Sequence, residues 1–319
     1  MHYELTIIGG GPGGVAAGIY AARKQLKTLF LTKDFGGQSI VSPDIQNWIG
    51  TISIPGTDFS SMLEKHLRAY AGEFVDIRAG EYVAKISKKA AFGEPRFKRS
   101  LKQEDVFEIM TNTATYTTQT VLITTGSERR KLTIPGAVEF ENKGVTYCAS
   151  CDGPLFSGKD VVVVGGGNAG FESAAQLLAY TKSVTLLETS PLFKADAFTV
   201  KRVIAHPNMK ALTKVTLKKI KGDKFVSAII YEKEGKEIEL KTEGIFVEIG
   251  LLPTTSFVKD IVELNKHNQI VVDPRTQRTN VLGIWAAGDC TDGLYHQNNI
   301  AAGDAVKALE DIYIHLRAK

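Results

Sequence analysis

The residues best equipped for chemistry in this sequence are Cys148-Ala149-Ser150-Cys151-Asp152. Two cysteines separated by two residues hold their sulfurs close enough to open and close a disulfide. The neighbouring cysteine also draws a thiol pKa down into the reactive range. Asp152 stands where a carboxyl can take or give the proton that thiol–disulfide exchange moves. On its own the pair is ambiguous between half a zinc site, a structural disulfide and a buried coincidence. A zinc site needs a second pair of ligands nearby, and the sequence offers none, so no metal is expected.

Two glycine-rich loops settle the ambiguity. Leu5 to Ile8 reads as a short buried strand running into Gly9-Gly10-Gly11-Pro12-Gly13-Gly14, and Val15 to Arg23 as a small-residue helix. Gly9, Gly11 and Gly14 satisfy GxGxxG in the order strand, turn, helix. In that order the glycines admit a pyrophosphate to the backbone and the helix N-terminus supplies amides and partial positive charge. The pattern recurs after the strand Val161–Val164. There Gly165, Gly167 and Gly170 form a second loop with Asn168 and Ala169, and Phe171 to Tyr180 its helix. The next strand, Val184 to Leu187, ends in Glu188, at the place where an acid accepts the ribose 2′-hydroxyl of NADH. A 2′-phosphate would call for arginines beyond that strand, but Thr189, Ser190 and Pro191 follow and Lys194 is the nearest cation. The residues therefore favour NADH over NADPH. Two nucleotide loops and one dithiol imply two nucleotides, with a flavin as the natural carrier of an electron pair between nicotinamide and disulfide.

The remaining elements must position these groups. A chain of 319 residues exceeds one ordinary core, so two domains are expected. The net charge of +4 is too small to argue for nucleic acid. No apolar run reaches membrane-spanning length, and the start of the sequence has no basic leader, so a cytoplasmic protein is expected. Three cysteines cannot form a disulfide scaffold, which suits a reducing compartment with one catalytic bridge.

The second strand, Thr28 to Leu31, ends in Thr32 rather than in an acid, with Asp34 as a possible substitute. Gly36-Gly37-Gln38 and the loop around Asn47 follow at the end where such sheets bind ligands. Phe59 to Tyr70 has helical spacing, which makes His66 a solvated helix residue. Residues 81–112 alternate as a hairpin carrying Lys85, Lys88, Lys89, Arg96, Lys98, Arg99 and Lys102, a pattern usual for a solvated loop. Thr120 to Ile123 forms another strand, turning at Thr125 and Gly126. Residues 210–249 alternate as antiparallel strands. Gly283 to Gly288 ends in Asp289, which could hold a sugar-like hydroxyl chain. Cys290 reads as a buried small residue. His296 precedes the last helix, which opens near Gln297 and Asn298.

GGGPGG at 9–14, GGQ at 36–38, CASCDG at 148–153, GGGNAG at 165–170 and AAGDC at 286–290 together resemble the low-molecular-weight thioredoxin reductase family over almost the full length. The resemblance implies an α/β fold of two Rossmann-like FAD/NAD(P)-binding domains, each of three ββα layers, the second inserted into the first. The expected boundaries are 1–117 with 248–319 for FAD and 118–247 for NAD(P). It implies FAD on the first loop, with Gln38, Asn47, Asp289 and Gln297 at flavin-contact positions. It implies NADH or NADPH on the second loop, Cys148 and Cys151 as the redox pair, and Asp152 as the acid. By position, Cys151 falls toward the flavin and Cys148 toward a thioredoxin-like or peroxiredoxin-type disulfide partner. Domain rotation and a homodimer are also implied.

The sequence departs from that family in two places. Leu-Leu-Glu-Thr-Ser-Pro at 186–191 and Cys-Asp-Gly-Pro-Leu-Phe at 151–156 are more similar to the flavoprotein subunit of alkyl hydroperoxide reductase, which uses NADH. Tyr-His-Gln at 295–297 replaces the more usual Tyr-Arg-Gln. Three alternatives remain open: an NADH oxidase, a peroxiredoxin-reducing flavoprotein, and a reductase fed by a non-nicotinamide donor.

Overall fold

The computed structural model describes residues 2–42, 44–89 and 106–317. The chain folds into two compact units, one built from residues 1–128 and 252–319 and the other from 129–251, so the second is inserted into the first.

In the first unit β1 (His2–Gly10) leads into α1 (Pro12–Arg23), then β2 (Thr28–Phe35), α2 (Gly56–Ala71) and β3 (Val75–Ala79). A hairpin of β4 (Val83–Lys89) and β5 (Val106–Thr111) follows, then β6 (Thr115–Ile123), and the chain leaves through β7 (Ser127–Arg129). β1 pairs in parallel with β2 on one side and β6 on the other, while β4, β5 and β6 run antiparallel. Leu5, Ile7 and Phe30 point to α1, α2 and the last helix, and Ile8, Leu29 and Leu31 point to the opposite core with Phe107 and Ile109. Burial on both faces explains why these strands read as continuous apolar runs rather than as alternation. His66 lies exposed on α2, as its helical neighbours suggest. Of the basic stretch, Lys85, Lys88 and Lys89 lie on β4, Lys89 paired with Glu108, whereas Arg96, Lys98, Arg99 and Lys102 fall outside the described residues.

The second unit holds β8 (Val145–Thr146), α3 (Ala149–Asp152), β9 (Asp160–Val164), α4 (Asn168–Leu177), β10 (Ser183–Leu187), α5 (Ala197–Ile204) and β11 (Met209–Leu212). Three antiparallel strands follow, β12 (Thr216–Gly222), β13 (Val226–Lys233) and β14 (Lys236–Lys241), and then β15 (Gly244–Val247). The central sheet is wholly parallel in the order β11-β10-β9-β15-β8. Val161 and Val163 pack under α4 with Phe171, while Val162 and Val164 pack on the antiparallel layer with Ile220 and Ile229. Helices, parallel sheet and antiparallel sheet make three layers. Residues 210–249 are not antiparallel throughout, contrary to what their alternation suggests. The ends of this stretch belong to the parallel sheet as β11 and β15, because Gly-Ile-Phe-Val is buried on both faces.

The chain returns through β16 (Leu251–Pro253). It then adds β17 (Ile284–Ala286) in parallel to the second half of β6 and closes with α6 (Asn298–Arg317). The first crossing falls at 128/129 rather than at 117/118, because β6 is a central strand of the first sheet. The return falls at 251/252 rather than at 247/248. Among the described residues no helix is long and apolar enough to cross a membrane.

Candidate functional site

A cavity of about 920 Å³ opens at the carboxyl ends of β1, β2 and β6 in the first unit. The strand order reverses at β1, and open parallel sheets bind their ligands at such a reversal. Its wall includes Gly9, Gly11, Pro12, Gly13, Gly37, Gln38, Thr125, Gly126, Gly288, Asp289 and Asn298. Gly9 takes φ +119°, a left-handed conformation that side chains disfavour. A Cβ on Gly14 would collide with the Gly9 carbonyl, so Gly14 serves the packing of α1 on β1 rather than the cavity wall. Thr124 Oγ donates to Ile8 O at 2.9 Å and pins β6 beside the loop. Pro12 opens α1, where its missing N–H costs nothing, so the helix starts three residues earlier than Val15.

Gln38 Nε2 reaches Ser127 Oγ at 3.2 Å and Asp289 Oδ2 at 3.5 Å. Asn47, His296 and Gln297 do not line the cavity. Asn47 Nδ2 donates to Gln297 Oε1 at 3.1 Å, and His296 Nδ1 stands 3.5 Å from Asp289 Oδ1. Of these three, His296 adjoins the wall through Asp289, while Asn47 and Gln297 bond each other. β2 runs on through Thr32 to Phe35; Thr32 Oγ bonds the Asp34 carbonyl, and both residues line the cavity. Sequence reasoning missed Glu81, Tyr82, Ser256 and Phe257, which the fold brings to the wall from the connection before β4 and from the return segment without any motif. The volume and the glycine cradle suit a dinucleotide as large as FAD. Cys290 is 0% exposed and burial pushes its thiol up to about 11, so it is inert.

The second loop repeats the first. Gly165 has φ +121°, and a Cβ on Gly170 would collide with the Gly165 carbonyl. Gly167 caps α4, and the chain after β10 folds back so that Lys194 N–H reaches Gly166 O at 2.8 Å and Asp196 N–H reaches Asn168 Oδ1 at 2.8 Å. Glu188 is 8% exposed. Its Oε2 accepts from Gly166 N–H at 2.5 Å, and its Oε1 from Ser190 N–H at 2.6 Å and Thr189 Oγ at 3.2 Å, which leaves Oε2 a further lone pair for a ribose hydroxyl. Burial raises this carboxyl's pKa, but the Ser190 and Gly166 N–H groups outweigh it and the net shift is downward. The carboxylate thus stabilises the folded chain above the ordinary carboxylate range, and this is lost as pH falls through its lowered value. Glu188→Gln should lower the melting temperature at neutral pH, and the deficit should shrink on acidification. A deficit independent of pH in parallel melts would refute the ionic role.

Cys148 and Cys151 form a disulfide with Cα atoms 5.3 Å apart. Cys148 caps the single turn α3, and Cys151 N–H donates to Cys148 Sγ at 3.2 Å. Asp152 closes the turn and accepts from Thr146 Oγ of β8. α4 braces the same turn. Ser150 Oγ donates to Gln176 Oε1 at 3.0 Å, and a Cβ on Gly153 would strike the Tyr180 hydroxyl. Burial, with the charge of Glu141, pushes the Tyr147 phenol up to about 12, so the residue before Cys148 is neutral. Among the described residues no His, Cys, Asp and Glu cluster could hold a metal.

The NADH dehydrogenase of Bacillus subtilis (strain 168) is 38% identical over 309 residues, covering 96% of this chain and 57% of that protein. The alkyl hydroperoxide reductase of Pseudomonas aeruginosa has an F subunit that is 37% identical over 321 residues, 98% of this chain and 58% of that protein. The chain therefore spans little more than half the length of these curated relatives. The solved thioredoxin reductase of Giardia duodenalis superposes with a TM-score of 0.88 at 31% identity, covering 100% of this chain and 99% of that one. The sequence also fits the description of one family over residues 3–305, and on that match the chain belongs to the pyridine nucleotide-disulphide oxidoreductases.

Proposed function

We propose that this chain is a flavin-dependent disulfide reductase that takes electrons from NADH and delivers them, through Cys148 and Cys151, to a thioredoxin-like or peroxiredoxin-type protein disulfide. The observation that carries the reading is the Cys148–Cys151 disulfide, set on a braced turn beside Asp152 in the unit that also holds a dinucleotide loop. The glycine cradle at 9–14 with Gln38, Thr125, Asp289 and Asn298 would hold FAD, and Gly165 to Gly170 with Glu188 would hold the nicotinamide dinucleotide. When bound, a flavin supplies a two-electron relay between nicotinamide and disulfide.

The chain's own residues then perform the exchange. Once the bridge is reduced, Cys148 Sγ keeps the Cys151 N–H at its side, which favours the thiolate there. That thiolate attacks one sulfur of the partner's disulfide, forming a mixed disulfide and releasing the other sulfur, which takes a proton. Cys151 Sγ then attacks Cys148 Sγ, restoring the internal bridge and releasing the partner as a dithiol. Asp152, held by Thr146, takes and returns the proton that these steps move.

The donor preference rests on Glu188, which would meet a 2′-phosphate with like charge, and on the absence of arginine at 189–191. The relative named NADH dehydrogenase supports it. Anaerobic mixing with each nicotinamide should bleach the flavin with a kcat/KM at least about tenfold higher for NADH. Faster bleaching by NADPH would overturn the donor, and turnover with oxygen but with no protein disulfide would favour the oxidase reading. A homodimer belongs to the same proposal, and sedimentation of the purified chain checks it.

A further inference from the structure

Glu248 is a half-buried carboxyl that none of these steps uses. It follows β15 directly, and its N–H bonds Val164 O at 2.8 Å, which sets it at the carboxyl ends of β9 and β15. The strand order of the second sheet reverses between these two strands. A Cβ on Gly165 would strike the Glu248 carbonyl, so this residue adjoins the first glycine of the second loop. Its Oε1 accepts from Ser173 Oγ of α4 at 2.7 Å, while Oε2 has no hydrogen-bond donor among the described residues. Burial pushes this carboxyl's pKa up, against the pull of the Ser173 hydroxyl and the charge of Arg129. A partly buried acceptor that no protein donor reaches gains a hydrogen bond from a ligand that donates to it.

Position indicates which part of a ligand that is. Glu188 ends β10, on one side of β9, and Glu248 ends β15, on the other. A dinucleotide whose pyrophosphate lies at the start of α4 sends one nucleoside toward β10 and the other across the reversal toward β15. With the adenosine ribose at Glu188, the nicotinamide nucleoside falls to Glu248. We propose that Glu248 is a specificity residue for the nicotinamide half, its Oε2 accepting a hydrogen bond from a donor of that nucleoside. The proposal rests on reading the second loop as the dinucleotide site.

Two fragments that carry no transferable electrons test it by titration calorimetry on the flavin-loaded chain: nicotinamide mononucleotide and ADP. Glu248→Ala should weaken nicotinamide mononucleotide about tenfold and leave ADP, which lacks the nicotinamide-side ribose, within about twofold. Glu248→Gln should keep most of the mononucleotide affinity, because its amide oxygen still accepts. Glu188→Ala should show the reverse selectivity. Equal losses for both fragments in Glu248→Ala would mean that the loop has collapsed, and no loss for either would mean no contact; both results overturn the proposal. If ADP binds the unaltered chain while nicotinamide mononucleotide is indifferent to residue 248, only the proposal falls. If neither fragment binds the unaltered chain, the dinucleotide reading falls with it.

Discussion

Cys148→Ser should abolish reduction of any protein disulfide, by at least about a thousandfold, while flavin bleaching by NADH proceeds at its normal rate. The serine hydroxyl is almost wholly protonated at neutral pH, so it cannot replace a thiolate stabilised by the Cys151 N–H. The proposed nicotinamide and flavin sites are built from Gly165–Gly170, Glu188 and the wall around Gly9–Gly13, and residue 148 is not among them. The fold should survive as well, since serine can accept the same N–H at the start of α3. Stopped-flow absorbance for the first half-reaction and a coupled disulfide assay for the second separate the two outcomes. Loss of both halves would contradict the roles given to this turn. Cys151→Ser should likewise end turnover, but here the mixed disulfide with the partner should accumulate, because the thiol that resolves it is gone. Non-reducing electrophoresis would reveal that adduct, and its appearance with Cys148→Ser instead would exchange the two roles.

Gly14→Ala should give a protein that no longer retains flavin and melts about 10 °C lower. The added methyl would meet the Gly9 carbonyl and stand 2.8 Å from Thr124 Oγ, so α1 must move off β1 or the loop must open. Strain of this kind costs about 3 kcal/mol or more, which corresponds to that melting shift for a unit of this size. Gly170→Ala meets the Gly165 carbonyl in the same way, but in the other unit. It should leave the purified protein yellow while removing its response to NADH. Absorbance of the purified variants and calorimetric melts decide both cases. A colourless Gly170→Ala with a yellow Gly14→Ala would reverse the assignment of the two loops.

Much of this architecture is legible from local pattern because its signals are short-range. A strand, a glycine turn and a small-residue helix occupy one continuous stretch, and the φ values of Gly9 and Gly165 are a property of the turn itself. The Cys148–Cys151 bridge spans a single helical turn, so its closure needs no distant partner. Even the apolar runs Val161–Val164 and Leu29–Leu31 announce strands buried on both faces. The same logic failed at 210–249. Ile245-Phe246-Val247 there is a continuous apolar run, the pattern of a parallel strand buried on both faces rather than of alternation.

Sequence alone determined the two dinucleotide loops, the dithiol and the α/β class, since each depends on residues close together along the chain. Tertiary structure decided what those loops lie against. It brought Glu81, Tyr82, Ser256 and Phe257 to the cavity, paired Asn47 with Gln297 across 250 residues, and set Glu248 beside Gly165 across 83 residues of chain, counting from 165 to 248. Such neighbours are chosen by strand order, and strand order follows from how whole sheets cover their two apolar faces, which no local window of sequence records.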